Sequence, residues 1–365
     1  MENLTELRAI FCAPPQTIMP FRIPPFRVLA LLLAAMLPLS IQPLLADQAA
    51  TGPGATRIAQ WKDDRTAVFM LMFDDGWPSH FQVAVPELEK RGLIATFYVC
   101  PAKGEFKTQA GSWDKVAKSK MVLADHTMTH QGVKDMANAE YEIGDCAIFI
   151  RKLQPGKENR LVSFGMPGVG PGKWNITGPQ LKEMLEKYHL VSRPPFEGHG
   201  AVYHQKTFEE MIALADKAIA SKGVEYLVVH GVERVTPNWG YQDMWPLKQT
   251  ILFPLLDGLK QRSDKGDLWV TDHISQHQYA TERDGSTVKT LKVISNGIQL
   301  DLKSSADPKY YDLPLTLITQ VPPAWRDCNI SQGAAPIRVT AKDGVLKFDA
   351  VPNGPPISIW PAPVN

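Results

Sequence analysis

The sequence predicts an α/β fold: a distorted seven-stranded (β/α) barrel followed by a C-terminal all-β, sandwich-like domain. Three observations carry that expectation. Between Thr66 and Arg283, seven short apolar runs alternate with amphipathic stretches of helical period. Polar residues able to do chemistry follow several of those runs directly. Beyond Arg283 the hydrophobic period switches to two, and no helical stretch survives. The chain has 365 residues, 44% hydrophobic and 21% charged, which is globular material long enough to bury a large core.

The seven runs are Thr66–Phe73, Leu93–Val99, Met121–Ala124, Leu161–Phe164, Leu190–Ser192, Glu225–Val229 and Asp267–Val270. They are rich in β-branched and aromatic residues, as buried strands are. Helical patterns lie between them at Ser79–Arg91, Ala139–Leu153, Thr177–Tyr188, Thr207–Lys222, Asp243–Arg262 and Thr271–Arg283, with Ser79 and Thr177 in N-cap positions. Repeated β-then-α units imply a parallel sheet, doubly wound or closed. The barrel is preferred because the polar residues follow strands. The period-two segments are Val288–Ile294, Ile298–Leu302, Leu313–Thr319, Ile337–Ala341, Val345–Phe348 and Ile357–Trp360. The expected organisation is an export signal at 1–46, a lead-in segment at 47–65, the barrel at 66–283 and the β-domain at 284–365.

The N-terminus has an apolar core, Val28–Met36, preceded by Arg22 and Arg27 and broken by Pro38 and Pro43 before Leu44-Leu45-Ala46. This reads as a secretory signal cleaved after Ala46. It is too short and too Pro-broken for a comfortable membrane span, so none is expected after cleavage; a retained membrane anchor is the alternative. A secreted or periplasmic protein follows. Lys and Arg total 39 against 38 Asp and Glu, a net charge of +1, and no basic run exceeds two residues. That balance leaves no electrostatic footprint for nucleic acid. Four cysteines (Cys12, Cys100, Cys146, Cys328) show no CxxC spacing, and cleavage leaves an odd three.

Three places carry chemistry. Phe73-Asp74-Asp75-Gly76 follows the first strand, and adjacent carboxylates repel unless a cation or proton intervenes. His126-Thr127-Met128-Thr129-His130 follows the third. Histidines at i and i+4 share a helical face and bind one metal as neutral imidazoles, and Thr127 stands where a zinc protease carries its Glu. Leu227-Val228-Val229-His230 ends an apolar strand at the sheet edge where α/β active sites gather. Singly, these read as a turn, surface histidines and a core histidine. Together, two His and one Asp make an open metal site, leaving one Asp as general base and one His as general acid for metal-assisted hydrolysis.

These three motifs, in this order, resemble the polysaccharide deacetylases of carbohydrate esterase family 4 over about Thr66–Arg283. The resemblance implies a distorted (β/α) barrel. It implies Asp74 as catalytic base, Asp75, His126 and His130 as ligands of a divalent metal, and His230 as general acid. The metal is expected to be Zn2+, with Co2+, Ni2+ or Mn2+ as alternatives. The implied reaction removes N- or O-linked acetyl groups from an acetylated glycan or oligosaccharide. The metal polarises the acetyl carbonyl and acidifies a water, while backbone N–H groups, the one after His126 among the candidates, help hold the oxyanion.

The sequence departs from that family in two places. The family's third motif, Arg-x-Pro, falls on Gly165-Met166-Pro167, with Gly165 where the base-orienting Arg belongs, and the family's Asp-x-x-Asp-Trp motif is missing from Val191–Gly198. Arg193 is a candidate to supply the missing charge. Trp77 and Trp239 are candidate substrate contacts, with Tyr241 and Trp245 nearby, because sugar rings stack on aromatic faces; Pro167 is a further candidate contact. His273 and His277 read as surface residues. The missing Arg keeps a non-catalytic glycan-binding protein in view as an alternative, alongside a hydrolase of non-sugar C–N bonds.

Overall fold

The computed structural model describes residues 52–157, 159–234 and 243–363. The signal assigned to 1–46, and Trp239 and Tyr241, lie outside the described residues. The described residues form one compact unit. No helix among the described residues is long and apolar enough to cross a membrane.

Strand β1 (Thr56–Ile58) precedes the parallel strands β2 (Ala67–Phe73), β3 (Thr96–Val99), β4 (Val122–Asp125), β5 (Val162–Phe164), β6 (Leu190–Ser192), β7 (Val224–Val229) and β8 (Leu268–Thr271). All seven predicted runs are strands. They form one curled parallel sheet in the order β6-β5-β4-β3-β2-β7, with β8 also paired to β2. β7 takes one edge of β2 along Val68–Phe73. β8 and β3 divide the other edge, at Ala67–Met70 and Met72–Phe73. The sheet therefore parts at β2 into a half-barrel.

The helices are α1 (Val85–Lys90), α2 (Gly104–Thr108), α3 (Ala110–Ala117), α4 (Met136–Ala139), α5 (Cys146–Leu153), α6 (Gly178–Lys187), α7 (Phe208–Ser221), α8 (Gln249–Asp264) and α9 (His273–Asp284). Single π-helical stretches lead into α1 at His80–Ala84 and into α5 at Glu140–Asp145. Thr177 caps α6 in a reciprocal capping box with Gln180, as its position predicts. Ser79 is no side-chain cap: its N–H donates to Asp243 and its hydroxyl accepts from Val232. α2 and α3 are not apparent in the pattern because their apolar residues, Phe106, Trp113 and Val116, are spread over two short helices.

After α9 come β9 (Ser286–Ile294), β10 (Gly297–Ser304), β11 (Leu315–Gln320), β12 (Asp327–Ser331), β13 (Ile337–Thr340), β14 (Val345–Ala350) and β15 (Ile357–Pro361). They build a five-stranded sheet, β13-β12-β15-β10-β9, and a three-stranded one, β1-β11-β14. Part of the lead-in segment thus belongs to the β-domain: β1 pairs antiparallel with β11.

The alternation of β2 explains how the parts join. Phe69, Leu71 and Phe73 face the helices, packed with residues such as Leu88, Met211 and Leu252. Val68, Met70 and Met72 face the other way, into a core shared with Tyr279 of α9 and with Leu315, Leu317 and Phe348. Trp61 sits in this second core, donating its indole N–H to the Lys222 carbonyl at 3.1 Å beneath the Arg283 guanidinium. His273 is buried rather than superficial, with Nδ1 2.7 Å from Ser163 Oγ, and His277 Nε2 meets the Tyr311 hydroxyl. The sequence reading missed this because α9 lies across the half-barrel instead of outside it. Cys100, Cys146 and Cys328 are free and buried.

A shared core predicts shared unfolding. Trp61→Ala is expected to lose about 3–5 kcal/mol, as large aromatic truncations do. Urea denaturation followed at separate barrel and β-domain probes should give one coincident transition; two separated transitions would contradict the shared core.

Candidate active site

The candidate side chains follow the carboxyl ends of four parallel strands. Asp74 and Asp75 follow β2, His126 and His130 follow β4, Arg193 follows β6 and His230 follows β7. Asp75 adopts φ 77° and Gly76 φ 66°. A non-glycine residue held there stores about 1–3 kcal/mol of strain. This turn sends the two neighbouring carboxylates to different partners, relieving the repulsion that adjacent charges impose.

Asp74 receives Arg193. The guanidinium makes a bidentate pair with it, Nη1 to Oδ1 at 3.0 Å and Nη2 to Oδ2 at 2.7 Å, both side chains being almost wholly buried. Burial pushes the Asp74 carboxyl up, but the Arg193 charge, with His126 and His230, holds it below the usual aspartate value. Arg193 also lies 4.7 Å over the Tyr98 ring. Gly165 makes room for this: a Cβ there would sit 2.8 Å from both Arg193 Nε and Tyr98 Cδ1.

Asp75 receives the histidines. Its Oδ1 stands 3.0 Å from His130 Nε2 and 3.5 Å from His126 Nε2. Burial opposes ionisation, but these histidines and Lys103 hold its pKa well below the usual range. The histidines do not share a helical face. Residues 126–132 form a loop in which Thr127 and His130 adopt positive φ, and that turn, not a helical repeat, brings the rings within 5.1 Å. Glu142 holds the loop by accepting from the Thr129 N–H and hydroxyl. The Thr127 N–H is occupied by Asp125 Oδ1 at 2.8 Å, so it is no oxyanion donor.

Asp75, His126 and His130 place one ligand atom each within 4.8 Å of one another, and the donor set suits a divalent metal. Two details fit it further. His126 Nδ1 donates to the Gly165 carbonyl at 2.6 Å, fixing the tautomer that turns the Nε2 lone pair toward Asp75. Asp75 Oδ1 is buried without a hydrogen-bond partner.

His230 is buried, its Nδ1 has no hydrogen-bond partner, and its carbonyl accepts from His80 Nε2 at 2.5 Å. Burial lowers its pKa, partly offset by Asp74 and Asp75. Beside it, Asp74, His126, His130 and Arg193 open into a cleft of about 630 Å³, walled by the loop at 166–172, Phe196 and Trp245. Pro167 lines this cleft. Trp77 does not: it is 6% exposed and donates its indole N–H to Asp75 Oδ2 at 3.0 Å. The exposed aromatic edge belongs to Trp245, 37% exposed, 4.8 Å from His230 and flanked by Phe196 and Tyr203.

Residues 62–157 match the polysaccharide deacetylase family. The match takes in Asp74, Asp75, His126 and His130 and ends before Arg193 and His230. The chain is also 22% identical over 343 residues to a gellan lyase from a Bacillus species, aligning 86% of this chain but spanning only 14% of that protein. Among solved structures it is similar to a family 4 carbohydrate esterase from Streptomyces lividans (18% identity, 55% of this chain and 90% of that one, TM-score 0.39). It is also similar to a peptidoglycan deacetylase from Bacillus subtilis (14%, 57% and 88%, 0.38) and to a family 4 pseudoenzyme from Bacillus anthracis (11%, 57% and 64%, 0.38).

Breaking the buried Asp74–Arg193 pair should show a pH signature. Arg193→Met is expected to cost about 3–5 kcal/mol at pH 7, because an unpaired buried carboxylate remains. Asp74 has a depressed folded pKa, so the pair's contribution is complete above the ordinary aspartate value of about 3.9 and is lost as pH falls through the depressed one. Urea unfolding of the metal-free proteins should therefore show a gap that is widest near neutrality and closes in acid. A pH-independent gap would contradict this account.

Proposed function

We propose that the protein is a metal-dependent hydrolase that removes acetyl groups, N- or O-linked, from a carbohydrate outside the cytoplasm. The observation that carries this reading is the pairing of a buried, arginine-oriented Asp74 with an Asp75–His126–His130 cluster on the same cleft edge. When bound, zinc or a related divalent ion supplies Lewis-acid polarisation of the acetyl carbonyl and acidifies water. Asp75, His126 and His130 would hold it.

Asp74 acts as general base. Arg193 keeps it ionised and fixes its orientation, and it faces the cleft where substrate enters. His230 acts as general acid, donating its proton to the leaving nitrogen or oxygen. Its lowered pKa makes the imidazolium a stronger donor while leaving less of it protonated at neutral pH. Trp245 offers an apolar ledge beside His230 for a pyranose face, with Pro167 on the facing loop.

Gly165, where the base-orienting arginine is expected, is the feature that favours a non-catalytic glycan binder. Arg193 supplies a guanidinium to the same carboxylate, which supports the hydrolase. The polysaccharide in the name of the gellan lyase relative favours a glycan over a small non-sugar amide. Export with cleavage after Ala46 belongs to the same proposal and is tested by N-terminal sequencing of the secreted protein.

The decisive experiment measures zinc content and acetate release from chitooligosaccharide, peptidoglycan and acetylated xylan. Acetate is expected from at least one of them. Asp74→Asn should abolish release while retaining zinc, His230→Ala should lower kcat about 10²–10⁴-fold, and His126→Ala should lose the metal. Stoichiometric zinc with no acetate from any substrate would overturn the hydrolase in favour of glycan binding.

A further inference from the structure

The two oxygens of Asp75 live in different surroundings. Oδ1 faces His126 and His130 and has no hydrogen-bond partner. Oδ2 accepts the Trp77 indole N–H at 3.0 Å, and Lys103 Nζ stands 3.9 Å from the same oxygen. Lys103 also lies 4.2 Å over the Trp77 ring, so indole and ammonium form one block behind the carboxylate. Trp77 follows two residues after Asp75 in a turn where Asp75 and Gly76 both take positive φ, and it is the only indole hydrogen-bonded to a carboxylate among the described residues.

We infer that Trp77 is a positioning residue for the metal: its indole N–H occupies Asp75 Oδ2, so that Asp75 presents Oδ1 alone as a one-oxygen ligand. This inference rests on the metal site proposed above. Without the N–H, a carboxylate buried at this depth loses its only hydrogen bond on Oδ2 and is free to rotate about χ2, presenting either or both oxygens. Partners that orient metal ligands in this way are typically worth about 10–100-fold in metal affinity.

Trp77→Phe removes the N–H and keeps an aromatic ring under Lys103. Titration of the metal-free proteins with zinc alone, against a chelating dye, is expected to show affinity weakened about 10–100-fold. The visible spectrum of the Co2+-loaded variant should change with the altered coordination. Unchanged zinc affinity, with only a lower thermal midpoint of the metal-free variant, would mean that Trp77 merely packs, and would overturn the inference. A second test needs no variant. A crystal structure of the zinc-loaded wild type should have one Asp75 oxygen on zinc and Trp77 Nε1 still on the other, and both oxygens on the metal would overturn the inference. His126→Ala separates the two levels. If it abolishes zinc binding while Trp77→Phe leaves affinity intact, only this inference falls. If wild type and His126→Ala bind zinc alike, the metal site itself falls.

Discussion

Two ionised carboxylates on consecutive residues, both buried, are the constraint around which this structure is built. Asp74 and Asp75 are each about 2% exposed, so solvent screens them little; each needs its own compensation, and the two compensations must not interfere. The backbone solves this by turning left-handed at Asp75 and Gly76, which separates the side chains. Asp74 then takes the guanidinium of Arg193, just beyond β6, while Asp75 accepts an indole N–H on Oδ2 and turns Oδ1 toward the two imidazoles of the loop after β4. A buried charge with a removed partner is far more destabilising than one that never existed. The surrounding residues are therefore fixed as a set.

That set needs a scaffold that brings four strand ends to one edge, and the curled parallel sheet provides it. Splitting at β2 widens the half-barrel without disturbing the ladder between β2 and β7, which runs unbroken from Val68 to Phe73 and so fixes Asp74 relative to His230. The concave face is not left empty. α9 crosses it, His273 joins the Tyr98–Ser163 hydrogen-bond chain, and the Tyr98 ring in turn supports Arg193. The β-domain closes the same core through Leu315 and Leu317, with β1 drawn in from the far side of the chain. Through these contacts the C-terminal sheets share the core that supports the arginine of the site.

Most of the parallel architecture was legible in the sequence because buried strands write themselves as continuous apolar runs, and Asp74, Asp75, His126, His130 and His230 were legible because each follows such a run. What was not legible depended on tertiary contacts. The His126–His130 spacing fits a helix as well as it fits the loop that is present, since i,i+4 spacing does not encode φ at Thr127 and His130. Trp77 looked like a sugar platform because an indole beside two aspartates has that composition; its N–H contact exists only once the turn has folded. β1 is three residues long and has no period to detect, and β12, with Asp327 and Asn329 facing outward, offered too weak an alternation.

Arg193 shows how a charge can move between strands without moving in space. β5 and β6 are parallel neighbours in register, Phe164 opposite Ser192, so residues 165 and 193 emerge side by side; the Arg193 N–H bonds the Phe164 carbonyl at 2.8 Å. Adjacent strands lie about 4.8 Å apart, a distance that an arginine side chain spans easily. An arginine expected at 165 can thus be replaced by one at 193 that reaches across the vacated position, provided 165 carries no Cβ, and the close approach of Arg193 Nε and Tyr98 to Gly165 enforces that proviso. The same glycine offers its carbonyl to His126 Nδ1. One small residue therefore admits Arg193 beside Asp74 and fixes the tautomer of His126, so the guanidinium that the sequence resemblance places at 165 reaches Asp74 from 193 instead.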